Sequence, residues 1–86
     1  MGRHIHGQII ETEVENQDIF TYGRQYQLIL RQVKIRNLGE TRIHVIINGG
    51  DPLPLDSGET LVFGDLVIAS LVVVEAGSIV RYAGRD

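Results

Sequence analysis

The sequence predicts an all-β domain, a small antiparallel β-sandwich or flattened, jelly-roll-like barrel of seven or eight short strands. Isoleucine, valine and threonine supply 24 of the 86 residues and alanine only three, a composition that favours strands over helices. Apolar segments alternate with turn residues, as in Asn48-Gly49-Gly50-Asp51, Ser57-Gly58-Glu59 and Ala76-Gly77-Ser78. The length fits one domain with one core, so we expect residues 1–86 to form a single sandwich.

The small size of the chain points toward association. A domain of this length buries only about 60% of the surface that its unfolded chain exposes, so it is marginally stable alone. Small proteins often compensate with disulfides, a metal or association. Cysteine is absent, which excludes disulfides. The small size therefore favours association.

The charges predict neither a nucleic-acid partner nor a membrane partner. The net charge is −3, and acidic and basic residues are interspersed along the chain, so the sequence predicts no basic patch that could neutralise phosphates. No apolar stretch reaches the roughly 18 residues of a membrane span. The start, Met1-Gly2-Arg3-His4, lacks the apolar centre of a signal peptide, which predicts assembly in the cytoplasm.

The first half of the chain predicts one strand over residues 5–14, a break at Asn16-Gln17-Asp18, and a loop or short edge strand over 19–23. Residues 1–8 have few apolar side chains and are predicted as a possible extended arm. A strand over 26–36 carries an irregularity, because one residue near Arg31-Gln32 must be absorbed by a β-bulge or bend if all its apolar residues face one core. Residues 37–40 are predicted as a hairpin turn.

The second half predicts a strand over 42–48 with Ile43, Val45 and Ile47 inward. The segment 53–55 contains proline, which cannot donate to a ladder, and is predicted as an edge strand or extended loop. Leu61 and Phe63 are predicted as a short inward pair, residues 79–82 as a closing strand and residues 84–86 as a polar tail.

Residues 66–74 predict a strand that is apolar on both faces. A strand with one face in water should alternate apolar with polar side chains, and only Ser70 interrupts this run. The segment either lies centrally under loops or meets another chain. If the segment meets another chain, its predicted interface residues are Val67, Leu71 and Val73. Arg3 and Arg42 are added to this predicted interface because arginine suits protein interfaces.

His4 and His6 are the candidate metal ligands. Histidines at i and i+2 of a strand point to the same side and can share an ion. With Glu11 they resemble the first metal motif of cupins, but the strands before it and the second motif are missing. In a threefold assembly the pair could offer six imidazoles to one ion; the alternative is a solvated chain end. We predict no metal and no cofactor.

Other residues that could carry chemistry favour structural roles. The sequence offers no Ser/His/Asp or Cys/His set. Glu11, Glu13 and Glu15 are interpreted as a solvated face that discourages edge-to-edge aggregation. His44 is most simply a surface residue, and no lysine or helix start follows Gly49-Gly50 to make a phosphate loop. The chain is predicted not to be an enzyme.

Residues 33–81 resemble small β-sandwich proteins of tailed bacteriophage virions. The resemblance rests on turn and strand signals: Asn37-Leu38-Gly39, Asn48-Gly49-Gly50, Leu55-Asp56-Ser57-Gly58-Glu59-Thr60-Leu61, Leu66-Val67-Ile68-Ala69-Ser70-Leu71-Val72-Val73 and Val80-Arg81. It departs at Ala69, where a polar residue is expected.

This resemblance implies a non-enzymatic virion structural protein. The most specific expectation is a capsid decoration (cement) protein that binds the major capsid protein or another virion protein as a symmetric oligomer, with self-association into a homotrimer as the expected form. A small tail or head–tail connector component is the first alternative. A carbohydrate-binding or adaptor β-sandwich module is the second, and would normally present exposed aromatic residues.

Overall fold

The computed structural model describes residues 5–21 and 25–86 and contains only strands as regular elements in that part of the chain. The eight strands follow one another in short segments: β1 (Ile5–Glu11), β2 (Gln17–Asp18), β3 (Arg31–Asn37), β4 (Ile43–Ile47), β5 (Leu53–Leu55), β6 (Thr60–Val62), β7 (Leu71–Val73) and β8 (Ile79–Arg85). The all-β prediction is confirmed.

Two four-stranded antiparallel sheets form the sandwich. One sheet has the order β1-β8-β3-β6 and the other β2-β7-β4-β5; we call them the first and the second sheet. The first strand thus pairs with the last, the second with the seventh, the third with the sixth and the fourth with the fifth. This is one long hairpin wrapped around a core, the connectivity of a jelly roll.

The core between the sheets collects the inward side chain of every other strand residue. Phe20 and Tyr82 are its largest members, with ring centroids 5.4 Å apart and planes tilted by 54°, a favourable aromatic arrangement. The fully buried aliphatic residues around them are Ile19, Leu30, Val33, Ile35, Val45, Leu55, Ile68, Leu71, Val73 and Val80.

The predicted irregularity at Arg31-Gln32 is a β-bulge. The pairing of β3 with β8 shifts register between Arg31 and Lys34, and Gln32 has a φ of 52°. The extra residue changes the parity of the strand, so that Leu30 and Val33 both face the core. The prediction is confirmed, except that Tyr26 lies exposed at the start of this segment rather than inward.

The Asn48-Gly49 turn is also confirmed. Both residues have positive φ, 50° and 73°, and the Gly50 N–H donates to the Ile47 carbonyl over 2.9 Å. This is the geometry of a tight hairpin turn, and it connects β4 to β5. The proline-containing strand β5 lies at the edge of its sheet, as predicted.

Residues 37–40 do not form a hairpin turn. They connect β3 in the first sheet to β4 in the second, so the chain crosses between layers here. The first strand is also shorter than predicted, and Gln17-Asp18, predicted as a break, form strand β2.

The predicted arm and polar tail are largely strand. Residues 5–8 belong to β1 and pair with the end of β8, from Ile5 opposite Arg85 to Gln8 opposite Tyr82. Residues 84 and 85 belong to β8 for the same reason. The prediction of an arm over 1–8 is therefore wrong for residues 5–8, and residues 1–4 lie outside the described residues.

The segment 66–74 is not one continuous strand. Only Leu71–Val73 forms a strand, β7, and Ile68 makes an isolated bridge to Leu30. Leu71 and Val73 are fully buried in the core of their own chain. Val72 alternates to the outer face and is half-buried there. Both faces of this segment are apolar, but two of the three residues predicted to face outward, Leu71 and Val73, face the core, and only Val67 is exposed.

Candidate functional site

The sequence-predicted interface residues do not form one surface. Leu71 and Val73 are buried and unavailable to a partner, which corrects their assignment. Val67 is 41% exposed, and Arg42 is exposed and bonded through its Nε to Asp56 at 2.5 Å. That hydrogen bond and the charge of Asp56 raise the pKa of Arg42. Arg3 lies outside the described residues.

The described histidines each contact one carboxylate. The Nε2 atom of His6 lies 3.1 Å from Asp86 and the Nδ1 atom of His44 lies 2.7 Å from Glu75. Among residues 5–21 and 25–86 no group of three or more His, Cys, Asp or Glu side chains could hold a metal ion. His4 lies outside these ranges, so the predicted His4–His6 pair is not described as a unit.

Glu75 fixes the loop after β7 to β4. Its carboxylate accepts a hydrogen bond from the backbone N–H of His44 at 2.8 Å and contacts the ring of the same residue. Partial burial raises the pKa of Glu75, but the two hydrogen bonds from His44, a hydrogen bond to the backbone of Glu75 and the charge of His44 together lower it by more, so the pKa is lowered. The His44–Glu75 pair therefore links the loop after β7 to strand β4 of the second sheet.

An open groove of about 550 Å³ lies at one end of the sandwich. Its walls mix charges and apolar side chains, with Val67 and Ile29 beside Asp65 and Arg31. Arg85 at the groove donates to Gln32 over 3.2 Å. The positive-φ bulge residue therefore helps to shape this end of the molecule.

The outer surface of the first sheet carries a concentration of positive charge. Along β3 and β8 buried and exposed residues alternate, and most of the exposed positions are basic. Five of the eight lysine and arginine residues of the chain lie there. We call this surface the cationic face, and it consists of Arg31, Lys34, Arg36, Arg81 and Arg85.

Like charges face one another across this surface. Arg36 is directly opposite Arg81, and Arg31 is directly opposite Arg85. Residues in such positions have Cβ atoms only about 5 Å apart, so like charges there destabilise the sheet. In the described part of the chain none of Arg31, Lys34, Arg36 and Arg81 forms an ion pair. These four cations are therefore available to an acidic partner.

The residues between the cations of this face include two with little or no side chain. Gly7 and Ala83 are directly opposite each other, and Lys34 is opposite Ala83 on the other side. A depression of about 230 Å³ lies at Ala83, and Lys34, Arg36 and Arg81 help to line it. A compact anionic group fits such a depression, because three cationic side chains surround a low floor.

Exposed aliphatic side chains flank the cations. Ile9 is 60% exposed and lies opposite Arg81, and Val62 is 62% exposed and lies opposite Lys34. Ile5 and Ile79 are also exposed on β1 and β8. Arginine with adjacent aliphatic surface is a combination typical of protein–protein interfaces.

The expectation that the chain has no basic patch is therefore wrong, because folding gathers basic residues that are distant in sequence on one surface. The cations of β3 and those of β8 are separated by more than forty residues in sequence, and the β3–β8 pairing brings them together. The available signal was alternation within each strand: Lys34 and Arg36 are two residues apart, and Arg81 and Arg85 are four apart. Those spacings place each set on one face.

The second sheet has a mainly apolar outer surface. Ile46 lies opposite Val72, and His44 lies opposite Pro54. Ile46, Val72 and Val74 are all half-buried although they lie on the outer side of the sandwich. The two sheets thus present surfaces of different chemistry.

Comparison with protein-family models, curated protein sequences and solved structures finds no match for this chain. In the described part of the chain, no helix is long and apolar enough to cross a membrane.

Proposed function

We propose that this chain is a non-enzymatic structural protein of a tailed bacteriophage virion, and most specifically a capsid decoration protein that stabilises the head as a symmetric oligomer. The observation that supports this most is the cationic face. Its basic and aliphatic side chains have the composition of a protein-binding surface, and none of its cations forms an ion pair within the described residues.

The fold supports a structural role as well. A jelly roll is a rigid sandwich that recurs in viral capsid and lectin domains, and it presents two broad sheet faces to neighbours. The same fold carries many functions, so the chemistry of the exposed faces determines what the domain binds. Repetition of a modest contact over a symmetric shell makes the total attachment strong, which suits a domain of 86 residues.

The first alternative is a small tail or head–tail connector component, which needs the same kind of surface. The second is a carbohydrate-binding or adaptor module. Sugar-binding faces normally use exposed aromatic rings. Tyr26, at 66% exposure, is the only aromatic residue among the strongly exposed hydrophobic residues of the described chain, and it does not lie on either sheet. The structure gives the carbohydrate alternative little support.

Two measurements test the proposal. Particles purified from induced cultures of the organism that carries the gene should contain this chain, detected by mass spectrometry in a fixed ratio to the major capsid protein. Purified protein should also co-sediment with emptied heads and raise the temperature at which they rupture. Presence on isolated tails but not on heads would favour the first alternative, and absence from both would refute a virion role.

A further inference from the structure

The unpaired cations of the first sheet have a counterpart on the same chain. Between β1 and β2 lies a turn in which Glu13, Val14 and Glu15 are all exposed. We call residues 13–15 the acidic turn. Neither glutamate forms an ion pair in the described part of the chain. Val14 between them is 58% exposed, so the turn combines two carboxylates with an aliphatic side chain.

Hydrogen bonds donated by two backbone N–H groups hold the acidic turn in place. The Gln17 side-chain carbonyl accepts a hydrogen bond from the Glu13 N–H at 2.8 Å, and the Asn16 N–H donates to the Val74 carbonyl at 2.9 Å. Asn16 has a φ of 55°, which turns the chain sharply after Glu15. A turn fixed in this way loses little conformational freedom when it binds.

We propose that the cationic face of one chain binds the acidic turn of a second copy of the chain. This inference rests on the proposed function, because it specifies how the symmetric oligomer is built. The two surfaces are different, so the contact is head-to-tail, and such contacts close into a ring when the rotation between copies permits. Three copies would then leave no cationic face and no acidic turn unpaired.

The chemistry of the two surfaces is complementary. The guanidinium group of arginine binds a carboxylate through two parallel hydrogen bonds, and four of the five cations of the face are arginine. The depression between Arg36 and Arg81 offers space for a carboxylate. The exposed Ile9 and Val62 beside it offer aliphatic surface to Val14.

A nucleic acid fits this face less well than a second copy does. Proteins that bind single strands provide aromatic side chains on which bases stack, and the outward residues of the cationic face and its flanks include none. The aliphatic flanks would remain exposed beside a hydrated phosphate backbone. The net charge of −3 also opposes the approach of a polyanion.

Sedimentation velocity on charge-reversal variants tests the proposal. We expect the wild-type chain to form a trimer at low salt and to dissociate as salt is raised, because ion pairs at an exposed interface are screened. Arg36→Glu/Arg81→Glu and Glu13→Arg/Glu15→Arg should each weaken association by on the order of tenfold or more, because like charges then meet. Circular dichroism establishes that each variant is folded.

The decisive variant combines all four substitutions, which exchanges the signs of the two surfaces. It should regain much of the association that either pair of substitutions removes. Glu40→Arg/Asp51→Arg is the matched control for Glu13→Arg/Glu15→Arg, since it changes the net charge by the same amount at exposed acids elsewhere. This control should associate as the wild type does.

Three results would overturn the inference: a wild-type chain that stays monomeric at high concentration and low salt, a trimer that survives reversal of Arg36 and Arg81, or a combined variant that does not recover. Binding of the wild-type monomer to single-stranded DNA through the same arginines would assign the face to nucleic acid instead. Virion assays separate this inference from the proposed function. A monomer found on virions refutes only the ring, and a ring absent from virions refutes only the virion role.

Discussion

The connection between the two sheets depends on one buried amide. Asn37 ends β3 and has no exposed surface. Its Nδ2 donates to the Thr41 carbonyl at 2.8 Å and to the Leu55 carbonyl at 3.0 Å, and its Oδ1 accepts from the Gly39 N–H at 2.9 Å. Leu55 lies on β5 in the opposite sheet, so this side chain joins the two layers where the chain crosses between them.

Replacement of Asn37 by alanine removes three hydrogen bonds and leaves backbone groups without partners. At about 1 kcal/mol of net stability for each bond, we expect a loss of roughly 3 kcal/mol. For a domain of this size that corresponds to a fall of roughly 12–24 °C in melting temperature. Asn37→Asp should be at least as harmful at neutral pH, since a carboxylate cannot donate to the two carbonyls.

Thermal and urea unfolding, followed by circular dichroism, measure this loss. Thr41→Ala is the control, because it alters an exposed side chain and keeps the backbone carbonyl that Asn37 binds. A melting temperature for Asn37→Ala within a few degrees of the control would refute the reasoning, because the amide would then contribute little to holding the sheets together.

Two further predictions concern stability. Gly84→Ala should destabilise the fold by about 1–3 kcal/mol in urea, because the added Cβ would lie 3.0 Å from Val33 Cγ2 and 3.2 Å from both the Arg31 carbonyl oxygen and Leu30 Cβ; an unchanged midpoint would show that β3 can move aside. Because the pKa of Glu75 is lowered in the folded chain, its ionised carboxylate stabilises the fold at pH values above its ordinary pKa, and this contribution is lost as the pH falls through the lowered pKa. Glu75→Ala should therefore flatten the acid side of the curve of unfolding free energy against pH, and an unchanged curve would refute this role.

Local patterns in the sequence predicted the features that depend on neighbouring residues. Strand alternation placed Ile43 and Val45 inward, and the Asn48-Gly49 pair located a turn that needs positive φ. The bulge at Gln32 followed from the parity of the apolar residues around it. In each case the physical cause lies within a few residues, so the sequence contains it.

Features that depend on pairing between distant strands were not accessible in this way. A turn at residues 37–40 has the same residue types whether it joins strands of one sheet or of two. Residues 66–74 alternate as one strand, but the chain bends between Ile68 and Leu71, and only the positions of Leu30 and Ile47 as partners fix which side faces inward. The cationic face likewise exists only because β3 pairs with β8.

Repulsion between Arg36 and Arg81 lowers the stability of the monomer, whereas the same two charges favour the proposed association. Opposite charges at facing positions of neighbouring strands stabilise the pair by about 0.2–1 kcal/mol. Arg36 and Arg81 occupy such positions but carry like charges, so they repel each other. If the cationic face exists to bind carboxylates of a second copy, Arg36→Glu should have two opposite effects. The isolated monomer should melt slightly higher, measured at concentrations too low for association, and the trimer should weaken. A monomer that melts lower would show that Arg36 already has a stabilising role within its own chain.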